Sequence, residues 1–161
     1  MELTELLGSS FDCVCGKQHT VPTEELIYGE DSFESIPRLI NTYSTHKRCR
    51  LIADTRTYGV AGREIEGRCE TSGVRCDHHI VADAGGESPV EDDRTREGLL
   101  QQTTDASLLI AVGSGVINDQ TKWAASLQNK PYIVVATAAS MNGYGSANVA
   151  ATIDGLKVLF Q

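Results

Sequence analysis

The amino-acid sequence predicts an open α/β domain in which helices cover both faces of a parallel β-sheet. Short apolar runs of strand length alternate along the chain with longer stretches whose apolar residues recur at helical spacing. Runs such as SLLIAVG and YIVVAT are continuously apolar, which is typical of parallel strands buried on both faces. Alternation of such strands with helices defines a Rossmann-like architecture.

Five strands and four helices are predicted in chain order. The predicted strands occupy residues 24–28, 50–54, 78–83, 107–113 and 131–137. The predicted helices occupy residues 33–44, 59–73, 90–103 and 115–128. Asp31 lies three residues before Glu34, so we expect a capping box to open the first helix, where Pro37 is tolerated near the first turn.

Length and charge limit the classes of function. A chain of 161 residues is long enough for one domain with a real core. A net charge of −8 argues against a nucleic-acid duplex or an anionic membrane as the main partner, because both need a basic surface. A small anionic ligand remains compatible with this charge if backbone dipoles hold it locally. The acidic N-terminus lacks the pattern of a secretory signal, so we expect a cytoplasmic protein.

The cysteines and histidines do not form a familiar metal motif. Five cysteines are an odd number, which favours reduced thiols over disulfides. Cys13, Cys15 and His19 suggest a soft-metal site, but C-x-C is shorter than the usual ligand spacing and a second ligand pair is absent, so their role stays open. His78 and His79 are adjacent on a predicted strand and would point to opposite faces.

Three predicted strand ends carry polar or glycine residues. In open parallel sheets, ligands bind outside the carboxyl ends of the strands, where the following helices direct unpaired N–H groups. These strand ends are Asp54 with Thr55 and Thr57, the turn Gly113-Ser114-Gly115, and residues 137–140. We expect them to meet at one edge of the sheet.

The Gly113-Ser114-Gly115 turn has two interpretations. The glycines either let the backbone approach a phosphate or only relieve crowding in a tight turn from strand to helix. The turn does not match the dinucleotide fingerprint G-x-G-x-x-G, because Asn118 stands at the third glycine position. Asp119 and Lys122 also have ordinary roles, as an acid near the positive end of a helix and as a solvated helix residue.

Four ordered segments together resemble the sn-glycerol-1-phosphate dehydrogenases, in the superfamily of iron-containing alcohol dehydrogenases and dehydroquinate synthases. The segments are FDCVCGKQHTVPTEELIYG, LIADTRTYGVAG, VGSGVINDQTKW and KPYIVVATAASMNGYGSANVAATIDGLKVLF. The resemblance implies an NAD(P)-dependent oxidoreductase of phospholipid biosynthesis that interconverts dihydroxyacetone phosphate, a small phosphorylated substrate, and sn-glycerol 1-phosphate. Family members are often dimers, so the resemblance also admits a homodimer.

The resemblance implies that residues 1–161 form the NAD(P)-binding domain and assigns site residues by motif. The implied cofactor-binding residues are Asp54, Gly113, Gly115, Val116, Ile117, Asn118, Asp119, Thr137, Ala138, Ala139, Ser140 and Ser146. Asn142 stands where the family's Ser-Met-Asp-Gly-Tyr motif has a substrate-binding acid, and an amide cannot accept a proton as a carboxylate does. No catalytic residue is therefore assigned.

Two further expectations concern the metal and the cofactor. In this family zinc or nickel is held by one Asp and two His in an all-helical C-terminal domain, so no metal ligand is assigned within the 161 residues and the chain alone is expected to be inactive. The chain is either truncated or ends naturally here. Asp54 favours NAD over NADP because a carboxylate repels a 2′-phosphate, but Arg56 would reverse the preference, so NAD or NADP stays open.

Two alternatives to the glycerol-1-phosphate dehydrogenase remain. One is a nucleotide-binding module without catalysis. The other is an alcohol dehydrogenase of the glycerol dehydrogenase type, which shares the glycine-rich turn.

Overall fold

The structure is a computed structural model that describes residues 3–90, 92–153 and 155–160. The chain divides into two compact units, Met1–Ser32 and Phe33–Gln161. In the described residues no helix combines the length and apolar content needed to cross a bilayer.

The first unit contains a small β-hairpin. A 3-10 turn (Leu3–Leu6) precedes β1 (Ser10–Asp12), which pairs antiparallel with β2 (Gln18–Thr20). The segment between the strands turns at Gly16, whose φ of 79° lies in the left-handed region. The predicted strand at residues 24–28 is wrong, because this segment forms no regular structure and leaves Tyr28 90% exposed.

The second unit carries a four-stranded parallel sheet, which confirms the predicted fold class. Its strands are β3 (Arg48–Ala53), β4 (Arg75–Ile80), β5 (Leu108–Gly113) and β6 (Tyr132–Ala136), in the spatial order β4-β3-β5-β6. Every residue of β5 is buried, as expected for a central strand covered on both faces. The boundaries differ from the predicted ones by a few residues; for example, the third strand ends at Ile80 rather than at residue 83.

Helices cover the two faces of this sheet. The first face packs against α1 (Ile36–Tyr43) and α3 (Arg63–Thr71), and α3 follows β3 through α2 (Thr55–Thr57) and a π-helical turn (Tyr58–Gly62). The other face packs against α4 (Asp93–Thr103) and α5 (Gly115–Leu127). Alternate residues of each central strand point to the two faces, so Leu51 belongs to the first core and Ile52 to the second.

The strand order places a topological switch point between β3 and β5. From β3 the chain moves to β4 on one side, then crosses to β5 on the other side of β3. The helices that follow β3 and β5 therefore lie on opposite faces, and their first turns diverge from the gap between the two strand ends. Ligands of open parallel sheets bind in this kind of gap.

Two details of the helix starts and the C-terminal region differ from the predictions. The predicted capping box at Asp31 and Glu34 is wrong: a 3-10 turn (Ser32–Ser35) precedes α1, Ser35 caps the helix without a side-chain bond, and Glu34 pairs with Arg68 instead. Beyond β6, strands β7 (Val149–Ile153) and β8 (Leu156–Phe160) form an antiparallel hairpin.

Candidate nucleotide-binding site

The turn between β5 and α5 needs its two glycines for different reasons. A Cβ added at Gly113 would lie 2.6 Å from the Cβ of Ile117, so the first turn of α5 packs directly on this glycine. Gly115 has a φ of 33°, and a Cβ added there would meet nothing within 4 Å. Gly113 therefore relieves crowding, whereas Gly115 provides the left-handed backbone conformation, and the space on its Cβ side is open.

The N-terminus of α5 lacks a side-chain cap. Ser114 is the N-cap residue, but its side chain makes no capping hydrogen bond. The N–H of Gly115 donates to the thioether Sδ of Met141 at 2.7 Å. A thioether is a weak acceptor, so the positive end of this 13-residue helix has only a weak hydrogen-bonding partner at Gly115 among the described residues.

A cleft opens beside this turn at the switch point. Its volume is about 150 Å³, and the residues that line it come from the ends of β3 and β5 and from the loop after β4. The lining residues are Asp54, Thr57, Ser88, Pro89, Ser114, Val116 and Ile117. The structure thus brings together two of the three predicted strand ends.

Asp54 caps the helical segment that follows β3. Its carboxylate accepts hydrogen bonds from the backbone N–H groups of Arg56 and Thr57, both at 2.8 Å. The hydroxyl of Thr57 accepts from the Asp54 N–H at 3.1 Å, which completes a capping box. The carboxylate is thus held rigidly at the cleft, and its binding of a ribose hydroxyl stays a prediction.

Arg56 lies between two carboxylates at the rim of the site. Its guanidinium donates to Asp83 at 2.8 and 3.1 Å and to Oδ2 of Asp54 at 3.3 Å. The hydrogen bonds with Asp83 raise the pKa of Arg56 and lower the pKa of Asp83. The guanidinium therefore has two acidic partners within the protein.

The polar residues in the first turns of α5 are turned inward. Asn118 is fully buried and its amide donates to Asp119 at 2.8 Å, but its buried Oδ1 has no hydrogen-bond partner among the described residues. Lys122 is 7% exposed and donates to Asp119 at 3.2 Å and to the carbonyl of Asn148 at 3.0 Å. Lys122 is thus a buried structural cation rather than a solvated one.

The third predicted strand end forms a separate loop. The Tyr144 hydroxyl donates to the carbonyl of Ala138 at 3.0 Å and accepts from the Ala138 N–H at 3.2 Å, which closes the segment after β6. Ala139, Ser140 and Asn142 are exposed. In the described residues this loop reaches the α5 turn through Met141, and residues 137–140 do not line the cleft.

Several lining residues were missed at the sequence level. Ser88 and Pro89 belong to a turn-rich stretch that carries no ligand-binding signal. Met141 does not line the cleft but contacts the turn, and no spacing rule places it against Gly115. The spacing Asp54-x-x-Thr57 was a recognisable cap, because the same two residues bond reciprocally in the structure.

Two thiol clusters in the described residues have ligand atoms within 4.8 Å of one another. One is Cys13, Cys15 and His19 in the first unit, and the other is Cys49, Cys69 and Cys76 in the core of the second. Hydrogen bonds with Cys49 and Cys69, together with burial, raise the pKa of the Cys76 thiol. His78 and His79 lie on β4 and face α3 and α4 respectively, so they do not converge.

Comparison with known proteins places the chain in a family of dehydrogenases. Residues 27–161 match the family described as iron-containing alcohol dehydrogenase, and the chain belongs to this family. Curated glycerol-1-phosphate dehydrogenases [NAD(P)+] are its relatives, which confirms the resemblance. The protein of Geobacillus stearothermophilus is 27% identical over 99% of this chain and 40% of its own length, and that of Bacillus subtilis is 27% identical over 94% and 39%.

Solved structures share the fold. An archaeal halo-thermophilic alcohol dehydrogenase from a Red Sea brine pool matches with a TM-score of 0.74 at 14% identity, over 88% of this chain and 42% of that one. The glycerol dehydrogenase of Schizosaccharomyces pombe matches with a TM-score of 0.65 at 21% identity, over 77% and 30%. The chain spans about 40% of the length of the first curated relatives it matches.

Proposed function

We propose that this chain binds NAD(H) in the cleft beside the N-terminus of α5, as the nucleotide-binding part of a metal-dependent glycerol-1-phosphate dehydrogenase. The observation that carries the proposal is the helix N-terminus at the switch point, where the Ser114 side chain makes no capping hydrogen bond and the Gly115 N–H donates to the weak thioether acceptor of Met141. A pyrophosphate supplies the negative charge and the acceptor oxygens that such a helix end attracts.

The residues around the cleft fit this ligand. The backbone N–H groups at Gly115 and Val116 would face the pyrophosphate once the Met141 thioether moves away. Asp54, at the end of the neighbouring strand, would accept a hydrogen bond from the adenosine ribose. Thr137, Ala138, Ala139, Ser140 and Ser146 would line the path towards the nicotinamide, and Asn142 would contact substrate.

A pair of substitutions at Val116 tests the proposal directly. Val116 lines the cleft in the first turn of α5, where an acidic side chain favours the helix. Val116→Asp is therefore expected to fold normally but to repel the pyrophosphate and weaken NADH binding at least about tenfold. Val116→Asn is close in size and uncharged, and it is expected to stay within about threefold of the wild type.

The single tryptophan provides the measurement. Trp123 lies two turns along α5 from the cleft-lining residue Val116, so energy transfer from Trp123 to bound NADH reports occupancy of the cleft. Thermal unfolding of both variants checks the fold. Equal NADH affinities of Val116→Asp and Val116→Asn, or absence of binding by the wild type, would overturn the assignment.

We also propose the reaction of the longer protein to which this domain would belong. Dihydroxyacetone phosphate would be reduced to sn-glycerol 1-phosphate by hydride from the bound nucleotide. The zinc or nickel ion that polarises the ketone would be held by residues outside these 161, so the isolated chain is expected to bind nucleotide without turnover.

A nucleotide-binding module without catalysis is the second candidate, and Asn142 favours it. This exposed amide stands where the family's motif has an acid. In a protein that also contains the metal-binding domain, NADH oxidation with dihydroxyacetone phosphate separates the two candidates. Turnover in that assay supports the dehydrogenase, and its absence with intact NADH binding supports the module. Oxidation of glycerol in preference to glycerol 1-phosphate would instead support a glycerol dehydrogenase.

A further inference from the structure

The hairpin of the first unit gathers three potential metal ligands. Cys13 directly follows β1, Cys15 lies in the connecting turn, and His19 lies on β2. Sγ of Cys15 is 3.2 Å from Nε2 of His19, and the three ligand atoms lie within 4.8 Å of one another. Ligands of tetrahedral zinc at the usual bond lengths lie about 3.5–3.8 Å apart, so small side-chain adjustments suffice.

The backbone of the turn holds these side chains in place. The N–H of Gly16 donates to the carbonyl of Cys13 at 2.9 Å, and the N–H of Cys13 donates to the carbonyl of Lys17 at 2.9 Å. The left-handed φ of Gly16 lets the chain turn from β1 into β2, where His19 pairs with Phe11. Two cysteines at C-x-C spacing supply only two ligands, and the hairpin turn brings the third ligand, His19, next to them from the opposite strand.

The site is also accessible from solvent. Cys15 and His19 are exposed, so a hydrated ion reaches the site without local unfolding.

We propose that Cys13, Cys15 and His19 form a zinc site with a fourth position open to water. Two thiolates and a neutral imidazole balance the charge of Zn²⁺, and sulfur with imidazole nitrogen is a donor set that zinc prefers. Binding releases the thiol protons to solvent. The core cluster of Cys49, Cys69 and Cys76 is a poorer candidate, because three thiolates, two of them fully buried, would leave net negative charge in an apolar environment.

Cobalt is the probe for this site. Co²⁺ added to the reduced full chain under anaerobic conditions is expected to bind with one equivalent, to give near-ultraviolet thiolate-to-cobalt absorption, and to be displaced by Zn²⁺. His19→Ala and Cys15→Ser are each expected to weaken binding at least about tenfold. Protons released on Zn²⁺ binding at pH 7 are expected to approach two per ion, which a pH indicator measures.

Two control variants identify the site. Cys76→Ala alters the core cluster, and His46→Ala removes an exposed histidine of the second unit. Both are expected to keep the wild-type absorption. Loss of the signal in Cys76→Ala with retention in His19→Ala would overturn the proposal, and so would absence of binding by the wild type. NADH binding by His19→Ala is expected to be unchanged, so this test is independent of the nucleotide proposal.

Discussion

At the scale of single residues, Gly113 links the sheet to the helix that faces the cleft. We predict that Gly113→Ala destabilises the protein by about 1–3 kcal/mol, because its Cβ would overlap Ile117 in a packed turn. Gly67→Ala is the matched control: it lies in α3, its Cβ would meet nothing within 4 Å, and it is expected to stabilise by about 0.5–1 kcal/mol. Urea unfolding measures both.

Equal effects of the two substitutions would contradict this account of Gly113. A loss of stability in Gly113→Ala without loss of NADH affinity is compatible with it, since the steric role does not depend on a ligand. The nucleotide proposal is tested separately at Val116.

Features of the site that depend on local backbone conformation could be predicted from the sequence. Contacts between residues far apart in the chain could not. The Gly113-Ser114-Gly115 turn was predictable because a buried strand followed by a helix leaves few other conformations. The pairing of Arg56 with Asp83 spans 27 residues and depends on how two loops meet. No local rule predicts such a contact.

At the scale of elements, the loop after β6 contacts the α5 turn through Met141. Among the described residues, the Gly115 N–H has the weak thioether of Met141 as its acceptor, at 2.7 Å. We predict that Met141→Ala tightens NADH binding about two- to fivefold, because the nucleotide no longer displaces this bond. Isothermal titration calorimetry measures the change.

Asn142→Ala is the control for this prediction, since Asn142 is an exposed neighbour in the same loop. Its NADH affinity is expected to match the wild type. Weaker NADH binding by Met141→Ala would show instead that the thioether packs against the bound nucleotide.

The elements of the sheet were predictable to the extent that burial on both faces determines their pattern. β5 and β6 are continuous apolar runs and appear within one residue of their predicted limits. Residues 24–28 are apolar only at Leu26, Ile27 and Tyr28; Leu26 is 58% exposed, and the segment pairs with no described strand. Apolar content alone does not supply a partner strand, and this explains the error.

At the scale of the whole molecule, the strand order β4-β3-β5-β6 explains why segments that are far apart in the sequence line one cleft. Reversal of direction after β4 leaves the ends of β3 and β5 without a covering helix between them. Asp54, from one strand end, and the α5 turn, from the next, thus border the same 150 Å³ space.

The charges at the rim predict a preference for NADH over NADPH. Asp83 and Asp54 both pair with the Arg56 guanidinium, so the cation that would hold a 2′-phosphate is already neutralised. Asp83→Asn is expected to leave the Arg56 guanidinium with Asp54 as its acidic partner, so that one carboxylate fewer competes with a 2′-phosphate, and to improve NADPH binding about fivefold, with NADH binding nearly unchanged. The double variant Asp83→Asn with Arg56→Gln is expected to lose this gain. Tryptophan energy transfer with both nucleotides measures the affinities, and equal wild-type binding of NADH and NADPH would contradict the prediction.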